Sequence, residues 1–411
     1  MPDSKFKDGY AQAFLRSQHD RLMLAGDPPN RLLAIPEPLL EFTVSLMRGR
    51  RAVPPQASKA QWQEWLAVLS SHEVLPMMHE KSHHLPDGEQ LPQRVRDSLR
   101  QAFMAADVRS LQVERQLAQI LPMMTAARLP CLVMKGPAIS GSWYPNPALR
   151  PHNDIDLLVP RDRFLQAREI LCDMGYVCKA PRFDSTPDLH SEESFDHLRD
   201  RSALPVELHW DIHHFYGFRG KGTIEDLFDR SREKTYGSVT FTGLDPVDEL
   251  IHVILHMVLI HTRDIRLIWL YDIFLLTEEI RRENLWQVFM ERCMEWRAME
   301  AARHLLSLTR LWSPLYTSDM AKEPLRWTFP DPEEKKEWER ILTKHKDARA
   351  MISLRLPPSL SPVRKYFYLA RFLFPPRENL RKRYRIAHDG LLPFYYILRI
   401  YERLIRRSWT R

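Results

Sequence analysis

The sequence predicts an α+β protein in which a small lobe with a mixed sheet lies between N-terminal and C-terminal helical lobes. Hydrophobic residues make up 44% of the 411 residues and charged residues 27%, which is enough for large cores. Glycine is scarce, with 13 residues, while 31 prolines interrupt the helical periodicity. Short aliphatic runs typical of strands are concentrated in the middle of the chain. This composition excludes a collagen-like chain, a Gly-rich linker protein and a β-propeller.

Changes in the hydrophobic pattern divide the chain into four predicted regions. Residues 1–128 form a helical N-terminal lobe, which includes a long helix predicted over 93–127. Residues 129–245 form the lobe that contains the sheet. Residues 246–360 return to helical periodicity, and 361–411 form a helical tail rich in basic and aromatic residues.

Charge is distributed unevenly along the chain. The net charge is +7, but residues 364–411 contain 13 basic and 3 acidic residues, a local charge of +10. The remainder therefore carries −3. We predict a slightly acidic body with a basic tail, which differs from a uniformly basic nucleic-acid-binding protein.

The cysteines and the apolar segments indicate a cytoplasmic protein. Four cysteines show no CxxC spacing and no disulfide framework, namely Cys131, Cys172, Cys178 and Cys293. The N-terminus is polar and lacks the apolar core of a secretory signal. The most apolar stretch, 250–260, has about half the residues that a membrane span needs.

The first strand of the middle region leads into a candidate anion site. The apolar run 129–134 ends at Lys135-Gly136-Pro137, and a helix is predicted from Ala138. A strand that turns into a helix through glycine presents free backbone N–H groups, and Lys135 adds a positive charge. The pattern alone is weak evidence, because the spacing of a Walker motif is absent.

Two acids on the next predicted strand indicate a metal site. Side chains alternate along a strand, so Asp154 and Asp156 share one face while Ile155, Leu157 and Val159 share the other. Two carboxylates on one face, about 7 Å apart, repel each other unless a cation lies between them. Oxygen ligands of this kind suit Mg²⁺ shared with a substrate phosphate. The alternative is a half-exposed strand with two solvated acids.

A third acid is predicted to lie beside this pair. The strand 206–210 places Glu207 and His209 on one face. Between the two strands, the pattern predicts a helix over 161–175 capped by Gly175, a strand over 176–178, and a hairpin arm near 195–199. This order of elements allows Glu207 to approach the two aspartates.

The combination resembles a known superfamily. A glycine after the first strand, a D-x-D on the second and a carboxylate on a later strand resemble the polymerase-β-like nucleotidyltransferases. Within this superfamily, the residue sequence of the motif segments resembles the bacterial uncharacterised nucleotidyltransferase family, and the resemblance covers most of residues 60–290. The segments that carry this resemblance are 132–138, 143–151, 154–159 and 206–210 and, outside the sheet lobe, 72–78, His256, Arg266-Leu267 and 269–272.

The resemblance implies a Mg²⁺-dependent enzyme that moves a nucleoside monophosphate from a nucleoside triphosphate to an unidentified hydroxyl acceptor. ATP is the expected nucleotide, and the acceptor is a small molecule, a peptide or a protein. The implied ligands of two Mg²⁺ ions are Asp154, Asp156 and Glu207. The implied nucleotide-binding residues are Lys135, Gly136, Ser140 and Arg150; the alternative for Arg150 is a surface residue. Two histidines, His209 and His256, would contact the metal ligands without binding the metal themselves.

One departure from the superfamily affects the phosphate turn. The usual Gly-Gly or Gly-Ser is Gly136-Pro137 in this sequence, and Pro137 removes one N–H donor. Two alternatives use the same fold: a phosphoryl transferase, and a catalytically silent module that binds a nucleotide or a partner. Three intact acids argue against the silent module.

Histidine-rich segments suggest competing metal sites. Residues 79–83 match the zinc-peptidase pattern HExxH, but Leu85-Pro86 follows at once, so a solvated turn at a helix end is favoured. His252, His256 and His261 lie on an apolar stretch where packed histidines are common. His213-His214 have no spacing that favours a metal.

The basic tail has three possible roles. Basic residues alternate with aromatic ones over 364–411. This pattern is consistent with a helical cap on the body, with an anionic membrane surface, and with nucleic acid.

Overall fold

The computed structural model describes residues 37–179, 190–212, 223–260 and 266–309, parts of 332–338 and 361–401, and the single residues Ile35 and Phe183. These parts contain thirteen α-helices and one seven-stranded mixed sheet, which confirms the predicted α+β class. Within them, no helix is both long and apolar enough to cross a bilayer. His213, His214 and His261 lie outside the described residues.

Four helices precede the sheet: α1 (Glu37–Met47), α2 (Lys59–Ser71), α3 (Leu75–Ser82) and α4 (Gln93–Ala126). Helix α2 begins at a capping box, in which the Ser58 side chain accepts from the Gln61 N–H and the Gln61 side chain accepts from the Ser58 N–H. Helix α4 has 34 residues and is therefore about 50 Å long. It confirms the predicted long helix to within one residue.

All seven strands lie between residues 129 and 245. They are β1 (Leu132–Met134), β2 (Ile155–Leu158), β3 (Tyr176–Cys178), β4 (Glu192–His197), β5 (Val206–His209), β6 (Arg232–Tyr236) and β7 (Val239–Gly243). Their order in the sheet is β3-β4-β5-β2-β1-β7-β6. The pairs β2–β5 and β1–β7 are parallel and the other four are antiparallel. Strands β1 and β2 are therefore adjacent near the centre of this sheet, with β5 on one side and β7 on the other.

The predicted strands are found, and two further strands were not predicted. The hairpin arm near 195–199 is β4, which is longer and begins at Glu192. Strands β6 and β7 form a hairpin around Gly237-Ser238, with Tyr236 paired to Val239. Gly237 adopts a left-handed φ of 57°, which glycine tolerates without strain. A Gly-Ser pair between alternating residues is a hairpin signal that the sequence does contain.

Three helices connect the strands: α5 (Lys135–Trp143), α6 (Phe164–Asp173) and α7 (Ile224–Asp229). Helix α6 matches the predicted helix before Gly175, which has a φ of 92°. Helix α5 begins at Lys135 rather than at Ala138. Pro137 is therefore in the first turn, where an N–H has no intrahelical partner and its loss costs little.

Six helices follow the sheet: α8 (Pro246–Ile260), α9 (Leu267–Arg282), α10 (Trp286–Glu295), α11 (Met299–Thr309), α12 (Arg377–Tyr384) and α13 (Leu392–Tyr401). Helix α8 is buried along nearly its whole length. Such a helix needs partners on several sides, and it contacts α9, α10 and α11.

The two faces of the sheet belong to two hydrophobic cores. Leu132, Met134 and Leu158 pack with the N-terminal helices and with α8–α11. Val133, Leu157 and Leu208 pack on the other face, with α6 and the C-terminal half of α4. Helix α4 contributes to both cores, because its N-terminal residues, such as Leu99, pack in the first core.

Candidate active site

The register of the central strands brings the predicted acids together. Asp156 on β2 lies directly opposite Glu207 on the parallel strand β5, and opposite Met134 on the antiparallel strand β1. Ile155 and Leu157 belong to the core on the other face, as the alternation predicted. The acids therefore lie on the face that is covered by the C-terminal helices.

Asp154 lies just before β2 rather than within it, because the strand begins at Ile155. It is half-buried and lines the same cavity as Asp156 and Glu207. The three acids therefore line a common cavity. Asp156 and Glu207 lie within strands, whereas Asp154 lies in the segment before β2.

Lys135 connects the end of β1 to this acidic group. Its Nζ donates to Asp156 Oδ1 at 2.6 Å, and its backbone N–H donates to Glu249 Oε1 at 3.2 Å. Lys135 has a φ of 51°, which is unfavourable for a residue with a side chain. The other described non-glycine residues with positive φ each directly follow a helix end, where this conformation is common: Glu73, Arg128, Asn284 and Arg297. At Lys135 the conformation instead directs the ammonium group to Asp156.

His209 joins the acids as a fourth polar group. Its Nε2 lies 2.8 Å from Asp156 Oδ1 and 3.9 Å from Glu207 Oε2. Its Nδ1 lies 3.4 Å from Glu192 Oε2, on the neighbouring strand β4. Ligand atoms of Asp156, Glu207 and His209 lie within 4.8 Å of one another, and the described residues contain no other group of three that could hold a metal in this way.

Burial and mutual repulsion separate the pKa values of the three acids. Burial, then repulsion from Asp156 and Glu192, raises the pKa of Glu207 to about 7. Burial and Asp156 raise the pKa of Asp154 to about 6. Burial alone would also raise the pKa of Asp156, but the Lys135 ammonium and the His209 hydrogen bond outweigh it and lower that pKa. Asp156 is therefore the acid that the protein itself keeps ionised.

Arg150 is buried rather than on the surface. Its Nε lies 2.9 Å and 3.0 Å from the two carboxylate oxygens of Asp272 on α9, and its Nη2 lies 2.8 Å from Asp272 Oδ2. The Tyr144 hydroxyl also donates to Asp272, at 2.8 Å. Burial would lower the pKa of Arg150, but the Asp272 carboxylate raises it, so the guanidinium stays charged. This ion pair ties the segment before β2 to α9.

Gly136 is placed where a side chain does not fit. A Cβ at this position would lie 2.9 Å from Arg150 Nη1 and 2.9 Å from His152 Nδ1. Real Cβ contacts are longer, so glycine is required for Arg150 and His152 to occupy their observed positions.

These groups line a cavity of about 370 Å³, within the usual size range of ligand sites. Seven of the predicted site residues line it: Lys135, Gly136, Arg150, Asp154, Asp156, Glu207 and His256. His209 does not line the cavity, but its ring contacts Asp156, which does. Ser140 is fully buried, and its Oγ lies 3.1 Å from His152 Nε2, so it does not face the cavity.

Several residues of this site were not predicted from the sequence. Glu192 lines the cavity beside His209, and Glu249 holds both the Lys135 N–H and the Lys234 ammonium, whose Nζ is 2.6 Å from its Oε2. No local pattern marks Glu192 or Glu249, because their partners are distant in sequence. Asp272 carried a signal, since it ends the segment 269–272, which resembles the family. His152 carried none.

The competing HExxH motif does not form a metal site among the described residues. Helix α3 ends at Ser82, so His83 lies at the helix end, as predicted. The His79 and His83 rings are 4.8 Å apart, and His79 also packs on Phe103 at 5.1 Å. Burial lowers the pKa of His79. These histidines pack together at the end of the helix, without a third ligand in the described part of the chain.

The donor set at the sheet fits a hard divalent cation. Asp154, Asp156 and Glu207 offer carboxylate oxygens, which are the ligands that Mg²⁺ prefers. Lys135 and His209 both bond to Oδ1 of Asp156. Oδ2 makes no hydrogen bond within the described residues and is available to a cation. The Lys135 ammonium already places one positive charge 2.6 Å from Asp156 Oδ1.

Comparison with known proteins identifies the family of the chain. Residues 58–314, which are more than half of the chain, match the family described as uncharacterised nucleotidyltransferase. The chain belongs to this family. It is a nucleotidyltransferase, and the matched region includes α2–α11 and the whole sheet of this nucleotidyltransferase.

No curated protein matches the sequence. Among solved structures, this nucleotidyltransferase is similar to the lincomycin-bound lincosamide antibiotic adenylyltransferase LnuA, with 15% identity and a TM-score of 0.28. The match covers 40% of this chain and 96% of LnuA.

Proposed function

We propose that this chain transfers a nucleoside monophosphate from a nucleoside triphosphate, with ATP the expected donor, to a hydroxyl group of an acceptor. The proposal is carried by the juxtaposition of Asp156 and Glu207 on adjacent parallel strands, beside Lys135, at the wall of a cavity. The acceptor oxygen forms a bond to the α-phosphorus, and the bond from that phosphorus to the pyrophosphate oxygen breaks. The hydroxyl proton leaves to a base or to water.

The acids and bases around the cavity have distinct roles in this proposal. Asp154, Asp156 and Glu207 would hold two Mg²⁺ ions, which when bound supply positive charge near the attacking and leaving oxygens. Lys135 brings an ammonium group to the same space, and Gly136 allows the phosphates to approach the backbone. His209 orients the Asp156 carboxylate through its hydrogen bond.

The remaining predicted residues act around this centre. Arg150 contributes a fixed positive charge, because Asp272 anchors its guanidinium in place. Ser140 acts only through His152, given its buried position. His256 lines the cavity on the side of α8 and would contact the acceptor, whether that is a small molecule, a peptide or a protein. We place the reaction in the cytoplasm, a compartment consistent with four free cysteines in the described residues.

Isotope transfer tests the proposed reaction. The protein is incubated with Mg²⁺, a cell extract as the source of acceptor, and ATP labelled on either the α- or the γ-phosphate. We expect α-label to appear on an acceptor and pyrophosphate to be released, with each of the other three nucleoside triphosphates tested in parallel. Transfer of γ-label alone would establish phosphoryl transfer instead. Absence of both transfer and nucleotide binding would favour a silent module.

Amide variants of the cavity acids test whether these acids are required for transfer. Asp156→Asn and Glu207→Gln keep the side-chain shape but remove a charged ligand, so we expect transfer to fall by about a hundredfold or more. Asp162→Asn, at an exposed acid outside the cavity, is the matched control and should retain full activity. Equal activity in all three variants would contradict the assignment of the site.

A further inference from the structure

Glu73 joins three segments that meet at the wall of the cavity. The residue follows the end of α2, and its Oε1 accepts from Asn153 Nδ2 at 2.8 Å and from Arg266 Nη1 at 2.6 Å. Asn153 lies in the segment before β2, and Arg266 directly precedes α9. Glu73, Asn153 and Arg266 all line the cavity. A side chain from the helices that precede the sheet therefore forms part of the wall of the site.

Neighbouring contacts hold the Glu73 carboxylate in this place. The Arg266 guanidinium lies over the Trp269 ring, 4.7 Å from its centroid, and this stacking orients the donor that faces Glu73. His72 Nδ1 accepts from the Leu267 N–H at 3.3 Å, which attaches the end of α2 to the start of α9. The Glu73 side chain is 20% exposed, so its bond to the guanidinium is partly shielded from solvent.

Asp154 has few contacts of its own. It lies before β2 rather than within it, and no hydrogen bond in the described part of the chain holds its carboxylate. On its C-terminal side, the Ile155 N–H donates to the Pro205 carbonyl at 2.9 Å. On its N-terminal side, the Asn153 side chain is bound to Glu73. Because Asp154 lies directly between these two anchors, both of them limit the direction of its carboxylate.

We propose that Glu73 is a positioning residue for the metal site. By holding Asn153, it keeps the Asp154 carboxylate facing the cavity, where the three acids would bind a divalent cation. This inference rests on the proposed function, because it presupposes that the acids bind such a cation. Glu73 contacts neither the metal nor the nucleotide in this role and acts only through Asn153 and Asp154.

Glycine at position 73 removes the side chain while preserving the turn. Glu73 has a φ of 59°, which glycine adopts without strain, so we expect Glu73→Gly to fold. Arg128→Gly is the matched control, because Arg128 also follows a helix end, has a φ of 52° and does not line the cavity. Glu73→Gln keeps an oxygen that accepts from Asn153. Asn153→Ala removes the other partner of the same bond, and melting temperatures are recorded for every variant.

Binding of Mn²⁺ alone, measured by electron paramagnetic resonance of the free ion, tests the proposal. We expect Glu73→Gly and Asn153→Ala each to raise the dissociation constant about tenfold, the lower end of the effect of residues that orient metal ligands. Glu73→Gln should raise it much less, and Arg128→Gly should leave it unchanged. Equal Mn²⁺ binding by Glu73→Gly and the unaltered protein would overturn the proposal.

A double-mutant comparison shows whether the effect passes through Asp154. If it does, adding Glu73→Gly to Asp154→Asn weakens Mn²⁺ binding no further, whereas adding it to Glu207→Gln weakens binding by the full factor. The same additional loss in both backgrounds would contradict the positioning role, because Glu73 would then act independently of Asp154. An unaltered protein that binds no Mn²⁺ would overturn the proposed function together with this inference.

Discussion

At the scale of single residues, the buried pair of Arg150 and Asp272 joins the sheet lobe to α9. A buried ion pair that loses one partner leaves an uncompensated charge. We therefore expect Arg150→Met to lower the free energy of unfolding by about 3–5 kcal/mol. Tyr144→Phe removes only one hydrogen bond to Asp272 and should cost about 1 kcal/mol. Urea denaturation measures both, and similar costs for the two variants would show that the ion pair contributes little.

Residues that follow a local rule could be predicted, and those with distant partners could not. Alternation separated the acids of each strand from its core residues, and the order of elements allowed Glu207 to approach Asp156, with which it is paired in register. Glu192 and Asp272 complete the site through contacts between elements far apart in the chain, which no periodicity encodes. The left-handed conformation of Lys135 was equally invisible, because no local pattern marks it; in the structure the N–H of this residue donates to the buried Glu249 carboxylate.

At the scale of elements, α5 packs closely against β6 at Gly141. A Cβ at Gly141 would lie 2.3 Å from the Thr235 carbonyl oxygen, which is part of the backbone and cannot easily move. Gly141→Ala should therefore lower the free energy of unfolding by about 1–3 kcal/mol, although alanine is normally the better helix former. The control is Gly390→Ala, where a Cβ meets nothing within 4 Å. Calorimetric melting that finds Gly141→Ala as stable as Gly390→Ala would contradict this packing.

The turn between β6 and β7 is tied to α4 by a carboxylate. The Ser238 backbone N–H and hydroxyl both donate to Glu114 Oε1 at 2.7 Å, and these bonds lower the pKa of Glu114. Because the folded-state pKa is below the unfolded one, this stabilisation is present above the unfolded pKa and is lost as the pH falls through the folded one.

We expect Glu114→Gln to reduce the free energy of unfolding by at most about 1 kcal/mol near pH 7, since the group is half-exposed. The difference from the unaltered protein should shrink below about pH 4, where the unfolded carboxyl is protonated. Urea denaturation at both pH values measures this change. A difference that is independent of pH would show that the charge of Glu114 is not involved.

Element types were predicted better than element boundaries. The helices of the N-terminal lobe and the strands that carry the acids follow clear hydrophobic patterns. Helix α5 begins earlier than its pattern indicated, and Glu249 on another helix accepts the N–H of its first residue, Lys135. Strands β6 and β7 were missed, since β6 carries charged residues such as Arg232 and Glu233 that obscure a strand pattern.

At the scale of the whole molecule, the basic tail presents an apolar surface to solvent. Phe394, Ile397 and Tyr401 follow i, i+3, i+7 spacing on one face of α13, and Phe394 and Ile397 are 60% and 66% exposed. The opposite side of α13 packs on α12, with the Tyr384 and Tyr395 rings 5.0 Å apart. Residues 364–411 carry a local charge of +10. We propose that this face of α13 docks on an anionic membrane surface, which accommodates exposed aliphatic side chains better than nucleic acid does.

Vesicle co-sedimentation tests the tail. We expect binding to vesicles that contain phosphatidylserine, weaker binding at high salt, and little binding to phosphatidylcholine alone. Phe394→Ser combined with Ile397→Ser should weaken binding by about tenfold or more, since each side chain contributes apolar burial. Leu111→Ser, at a similarly exposed position on α4, is the control. Salt-sensitive binding to single-stranded RNA without vesicle binding would favour nucleic acid instead.

The long helix α4 has a consequence for how the molecule opens. Its first half is part of the core shared with the C-terminal helices, and its second half is part of the core beneath the sheet. Because one continuous helix contributes residues to both cores, we expect that loss of packing in one core destabilises the other. Deep amides at Leu99 and at Leu117 should then exchange with deuterated water through the same global opening, at equal rates under conditions limited by unfolding. A nucleotide bound at the sheet would slow exchange in the N-terminal helices too, although it does not touch them.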